Sequence, residues 1–219
     1  MASGSAILDP PVSTPPGTGG GGNGGVPGGG GGAGRGPGGP RPFADVAVLG
    51  MWVALAPILM LFLAFTSAYV VRHGLATDWT RVEIPRLLWL NTLVLLASSG
   101  ALEKGRSVLR RGSAARSWTV LTLVLGTGFV VGQIVAWQQL RGGGVGIASS
   151  PYSSFFYLLT GAHGVHLAGG LLGLVAACMW PAAGYRGMSN TLALRLVAIY
   201  WHFMGFLWLG LFALLNFWR

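Results

Sequence analysis

The chain has 219 residues, of which 52% are hydrophobic and 9% charged, with a formal net charge of +9 and one cysteine, Cys178. Soluble domains carry about a quarter of charged residues, so bulk water is excluded as the solvent for most of this chain. The basic residues stand between apolar blocks rather than on one amphipathic face, which argues against nucleic acid as a partner; a lone cysteine excludes an intrachain disulfide and a cysteine cluster for metal, and leaves Cys178 to pack as a small apolar residue.

Residues 1–42 hold 17 of the 38 glycines and 8 of the 12 prolines. That composition buries too little apolar surface to offset the entropy of ordering, and it predicts a disordered Gly/Pro-rich tail. The run Gly28 to Gly32 is followed by no Lys-Ser or Lys-Thr pair, so it is not a phosphate loop. Met1 to Asp9 lack the basic and apolar regions of a secretory signal, and membrane insertion is expected to be directed by the first helix of the core.

From there the apolar residues fall into blocks of the length a helix needs to cross about 30 Å of hydrocarbon. Five helices are predicted, at about 46–71, 85–108, 118–139, 153–180 and 194–218. The first contains no charge and has Pro57 inside it, where a kink is expected. The second rests on a short apolar block, Leu87 to Leu102, and must recruit flanking residues from Pro85 or from Glu103 onward. The fold class is therefore all-α: a polytopic membrane protein, with residues 43–219 forming one bundle of five transmembrane helices. Basic residues set its orientation. Arg35, Arg41, Lys104, Arg106, Arg110, Arg111, Arg116, Arg186 and Arg195 lie on one side, against Arg72, Arg81, Arg86, Arg141 and Arg219 on the other. The N-terminus and the tail are predicted cytoplasmic and the C-terminus periplasmic or extracellular. Trp79, Trp89, Trp118, Trp137, Trp180 and Trp218 fall near helix ends, as interfacial aromatics do.

Few residues in these spans carry chemistry. His163 and His166 are three apart on the fourth helix and share a face. A metal would need further ligands, and only His73 and His202 remain; hydrogen bonds to neighbouring helices are the alternative use. Gly128 with Gly132, and Gly169 with Gly173, have the small-xxx-small spacing that lets helices approach closely. The fifth helix carries Tyr200, Trp201, His202, Phe203, Trp208 and Phe212, an aromatic stripe suited to packing or to lipid. Glu103 stands where the second helix must continue to span. It is either a functional intramembrane acid or, beside Lys104 and Arg106, a surface charge at headgroup level.

Taken in order, four motifs resemble one family. Ser154-Phe155-Phe156-Tyr157 with Thr160-Gly161-Ala162-His163-Gly164-Val165-His166, and Tyr200-Trp201-His202-Phe203 with Trp208-Leu209, are similar to the last helices of cytochrome c oxidase subunit III. Gly50-Met51-Trp52 with Ser67-Ala68-Tyr69 resembles its entering helix, and Asn91-Thr92 through Leu102-Glu103 resembles the helix that carries the family's membrane-embedded glutamate. The resemblance implies the five-helix bacterial form of the subunit, in a bacterial cytoplasmic membrane. It implies no redox centre in this chain, with haem and copper in partner subunits, the catalytic subunit I and the copper-binding subunit II. It also implies bound phospholipid and membrane lipids as contacts, a role in proton uptake and lasting activity, and a grouping of Glu103 with His163 and His202, with His166 nearby. The chain departs from the family pattern at Met204-Gly205, at Ala56-Pro57 and at Ala136-Trp137, where acids are usual, so Glu103 is the remaining acid within or at the edge of the spans. The same motifs allow the accessory subunit of a nitric oxide reductase. A small transporter would show repeats or broken helices, and an assembly factor would be absent from the active complex.

Overall fold

The computed structural model describes residues 42–75, 85–112, 115–179 and 190–217. The expected tail, and Trp79, Trp180 and Trp218, lie outside the described residues. The architecture is all-helical: α1 Pro42–Leu75, α2 Leu87–Arg110, α3 Arg116–Gly142, α4 Pro151–Met179 and α5 Asn190–Phe217. Four of these, all but α2, are long and apolar enough to cross a membrane. The chain is a membrane protein. α2 falls short in apolarity because Glu103, Lys104, Arg106 and Arg110 crowd its last turns, yet its 24 residues extend about 36 Å and it packs within the same bundle.

The helix ends depart from the apolar runs by a few residues because polar groups, not apolarity, set them. α1 extends beyond its uncharged run to 34 residues, with Asp45 in its first turn and Arg72 in its last, the signs that the helix dipole favours. It continues through Pro57. α2 starts after Pro85, whose carbonyl accepts the Leu88 N–H at 3.0 Å, and it closes through Gly112 at φ +78°. α4 begins on Pro151 behind a reciprocal cap. The Ser153 N–H donates to Ser150 Oγ at 3.2 Å, and the Ser150 N–H donates to Ser153 Oγ at 3.0 Å.

Contacts between elements run α2 to α3, α3 to α4, α4 to α5 and α5 back to α2, a closed ring of four helices. α1 lies outside that ring against α4 and α5. Aromatic groups fill the ring. Trp201 and Trp208 of α5 are fully buried, and Phe129 of α3 meets the Trp208 ring edge-on at 4.9 Å. Both indoles are also tied to α2: Trp201 Nε1 donates to Ser98 Oγ and Trp208 Nε1 to Thr92 Oγ1, each at 3.0 Å. These bonds, with Trp89 against Phe212 at 4.8 Å, run α2 and α5 antiparallel. The outer faces stay apolar, with Val46, Leu49, Val53, Met60 and Leu63 exposed on α1 and Phe206 79% exposed on α5, as lipid-facing residues should be.

The glycines that permit this packing are mostly not the expected ones. A Cβ on Gly126 would fall 2.8 Å from Trp201 Cζ2, and one on Gly105 3.0 Å from Trp118 Cβ. One on Gly132 would fall 2.8 Å from Asn91 Cγ. Gly128, in contrast, has open space where a Cβ would sit, which corrects its reading as a packing position. The buried stripe of α3 runs through Thr122, Gly126, Phe129, Gln133 and Ala136, and residue 128 lies off it. On α4 the closest approach is at Gly170, 3.1 Å from Tyr200 Cε1; Gly169 and Gly173 face α5 at ordinary contact distances of 3.5 and 3.6 Å.

Candidate functional site

Glu103 sits in the third turn from the end of α2, with its side chain 46% exposed. Arg106, one turn on, brings Nη1 to 2.6 Å from Oε2, and Arg110, two turns on, brings Nη2 to 3.4 Å from Oε1. The helix itself builds this cluster, since residues three and seven apart return to one face. Across the seam, His202 of α5 places Nε2 3.6 Å from Glu103 Oε2. His202 is held there by the same antiparallel register that seats Trp201 on Ser98, and it is 42% exposed. The result is one carboxylate flanked by two guanidinium groups and an imidazole at the charged end of α2. A carboxylate so placed can hold a negative charge between two guanidinium groups, with an imidazole within reach across the seam.

His163 is not part of this cluster, which corrects the expected grouping. It is fully buried inside the ring, its imidazole 5.1 Å from the Trp208 ring and 6.1 Å from Phe129. Measured along α5, the level of Trp208 is about 9 Å from that of His202, because six residues separate them. His166 diverges again. Its Nδ1 lies 2.8 Å from the Ala162 carbonyl, its ring is 5.6 Å from Phe62 of α1, and its own carbonyl accepts the Tyr200 hydroxyl at 2.8 Å. A three-residue step turns a helix by about 60° from alignment, enough to send one imidazole into the ring and the other toward α1. Among the described residues no three His, Cys, Asp or Glu side chains converge.

Sequence reasoning did not single out Asn91, Gln133 or the two indole-to-hydroxyl bonds. The available signal was polarity inside an apolar run: Asn91, Thr92, Ser98 and Gln133 all fall within helices and are buried, and a buried indole N–H needs an acceptor. A groove of about 810 Å³ lies between the end of α1 and the start of α4, lined by Ala68, Val71, Arg72, Ser150, Pro151 and Phe155 among others.

Compared with known families, residues 48–219 match the one described as cytochrome c oxidase subunit III. A relative from Mycobacterium tuberculosis, called probable cytochrome c oxidase subunit 3, is 37% identical over 130 residues, 58% of this chain and 64% of its own length. The aligned part thus spans a little under two thirds of that relative. Relatives of the same description from Nocardia farcinica, 33% identical, and Mycobacterium leprae, 38% identical, each align over 80% of this chain and 89% of their own length. These similarities favour neither the nitric oxide reductase reading nor the transporter reading.

Proposed function

The chain belongs to the cytochrome c oxidase subunit III family, and from that premise we propose that it serves as the non-catalytic third subunit of a haem-copper terminal oxidase. In such a complex, electrons from cytochrome c or quinol reduce oxygen while protons are pumped. The observation that carries this reading is the reach of the family match, which runs through all five helices from residue 48 to residue 219. The partners are then the catalytic subunit I and the copper-binding subunit II, which would hold haem and copper; no step of the chemistry is assigned to this chain. Its place is the bacterial cytoplasmic membrane with the N-terminus cytoplasmic, supported by the basic cluster from Lys104 to Arg116, which runs from the last turns of α2 to the first residue of α3. A bound phospholipid fits the apolar walls and the Arg72 guanidinium of the groove beside α1. Detergent purification through a tag on this chain tests the reading. Co-purification of haem absorbance with a large multi-helix subunit and a copper-binding partner is expected, and recovery of a haem-free lone chain from respiring cells would overturn it.

Within that role, Glu103 and His202 are proposed as the proton-uptake cluster near the cytoplasmic face, with Arg106 and Arg110 holding the carboxylate. His163 and His166 are proposed to lie in the aromatic interior and at its α1 side, and Gly126, Gly132 and Gly170 to serve packing. Because the Glu103 ion pairs are partly exposed, their loss costs at most about 1 kcal/mol and should leave the subunit bound. Glu103→Ala is therefore expected to shorten the active lifetime of the oxidase during continuous turnover while the initial rate changes little. Oxygen-consumption traces at saturating electron donor measure both, and a lifetime equal to that of the parent would remove Glu103 from the role.

A further inference from the structure

Two polar side chains buried in the bundle, on facing helices, have no hydrogen-bond partner among the described residues. Gln133 of α3 is 5% exposed and His163 of α4 is fully buried. Both amide atoms of Gln133 and both ring nitrogens of His163 are unpartnered. The register of α3 against α4 sets their levels. Phe129 lies against His163 at 6.1 Å, and Trp137 Nε1 donates to Thr160 Oγ1 at 3.2 Å. Gln133 is one turn from each of these α3 residues and shares the buried stripe of α3 with Phe129, while Trp137 is half-buried. It is therefore held between the levels of Thr160 and His163.

The polar groups around them are already engaged. Thr160 donates its hydroxyl to the Phe156 carbonyl at 2.6 Å while accepting from Trp137. Asn91 Nδ2 points to the Phe129 carbonyl at 3.4 Å, and Trp208 Nε1 is bound to Thr92. The remaining walls include the rings of Phe62, Phe129 and Trp208, which accept no ordinary hydrogen bond. A bare amide and a bare imidazole in such a place would carry an unrelieved desolvation cost. A direct bond between the two uses one atom of each and leaves the other two empty.

We propose that α3 and α4 enclose an internal water site bridging the Gln133 amide and the His163 ring. Water is the ligand whose chemistry fits. It donates twice and accepts twice, so it can donate to Gln133 Oε1 and to the bare imidazole nitrogen and accept from the amide N–H, which serves three of the four atoms where a direct bond serves two. A metal is excluded because no third ligating side chain converges there among the described residues, and a lipid headgroup because neither side chain reaches the surface. The site belongs to this chain alone and does not depend on which complex the subunit joins. Its effect is to join α3 to α4 across an aromatic interior through a ligand that exchanges rather than through a fixed bond.

Two measurements test it. A cryo-EM map of the purified complex, at a resolution that shows ordered solvent, is expected to contain density within hydrogen-bond distance of both the Gln133 amide and the His163 ring. Direct contact of the two side chains with no density between them would overturn the proposal, as would a dry space. Gln133→Leu and His163→Phe are each expected to lower the melting temperature of the subunit within the complex, while the double variant falls no further than the worse single one. Losses that add in full would show two independent side chains, and that result also overturns the shared site.

Discussion

Trp201→Ala is expected to lower the melting temperature of the subunit more than any other single substitution in α5, and to release it from the complex during purification. The indole is fully buried and reaches from α5 across the four-helix ring to the backbone of α3 at Gly126. Lipid tails cannot enter that interior, so truncation leaves a void, and removing a buried aromatic costs about 3–5 kcal/mol where the surroundings do not collapse. In a bilayer the lost term is packing rather than transfer from water, because the alternative solvent is itself apolar. Trp201→Phe separates the two contributions. It keeps a ring in place and removes the Nε1–H that binds Ser98, while the Ser98 hydroxyl keeps its bond to the Leu95 carbonyl at 2.7 Å. That change should cost only about 1 kcal/mol beyond the lost volume. Thermal melts of the detergent-solubilised complex, followed by release of this subunit, measure both, and an unchanged midpoint for Trp201→Ala would mean that the ring closes without the indole.

Gly126→Val should be comparably severe from the opposite cause. Its Cβ would fall 2.8 Å from Trp201 Cζ2 and 3.0 Å from Leu171 Cδ2, so α3 would be pushed from both α5 and α4. Overpacking of this kind costs about 1–3 kcal/mol, with β-branching adding to the strain. A matched control lies two residues on. Gly128→Ala meets nothing within 4 Å and gains helix propensity of up to about 1 kcal/mol, so its melting temperature should hold or rise. The smaller Gly126→Ala should be partly rescued by Trp201→Phe, because the atoms in the way belong to the far side of the indole. Equal losses for Gly126→Ala in both backgrounds would show that the two positions do not press on each other.

The apolar runs made the number, order and approximate extent of the helices legible, because a chain in hydrocarbon must satisfy its backbone internally and few patterns do so. The ends were less legible. α4 starts at Pro151 because Ser150 and Ser153 cap each other, and α1 runs on to Leu75 past the end of its uncharged stretch. In the site, Arg106 was readable as a neighbour of Glu103 since both lie on one helix three residues apart. His202 as a partner rests on the register between α2 and α5, which helical periodicity does not encode. His163 went astray for the same reason: spacing places it on a face with His166 but leaves open whether that face turns toward the ring or toward α1. The glycine spacing of α3 had this ambiguity too. It identified small residues without the rotation that puts Gly126 on the packed stripe and Gly128 off it.

Among the described helices α1 touches α4 and α5 alone, and that arrangement bears on the order in which the protein can be built. At about 5–20 residues per second, roughly 4–15 s of synthesis separate the end of α1 from the start of α4. During that interval the earliest of these helices waits in the bilayer without its neighbours. A run from Val46 to Val71 with no charge can wait there. The polar demands are placed elsewhere: Asn91 of α2 reaches the Phe129 carbonyl of α3, the next helix to be made, so α2 and α3 can enter as a pair. Thr92 and Ser98 meanwhile turn their hydroxyls to carbonyls of their own helix until the two tryptophans of α5 arrive. The distribution of polarity along the chain thus follows the timetable of translation: the helix that must wait longest for its neighbours is the one that needs them least.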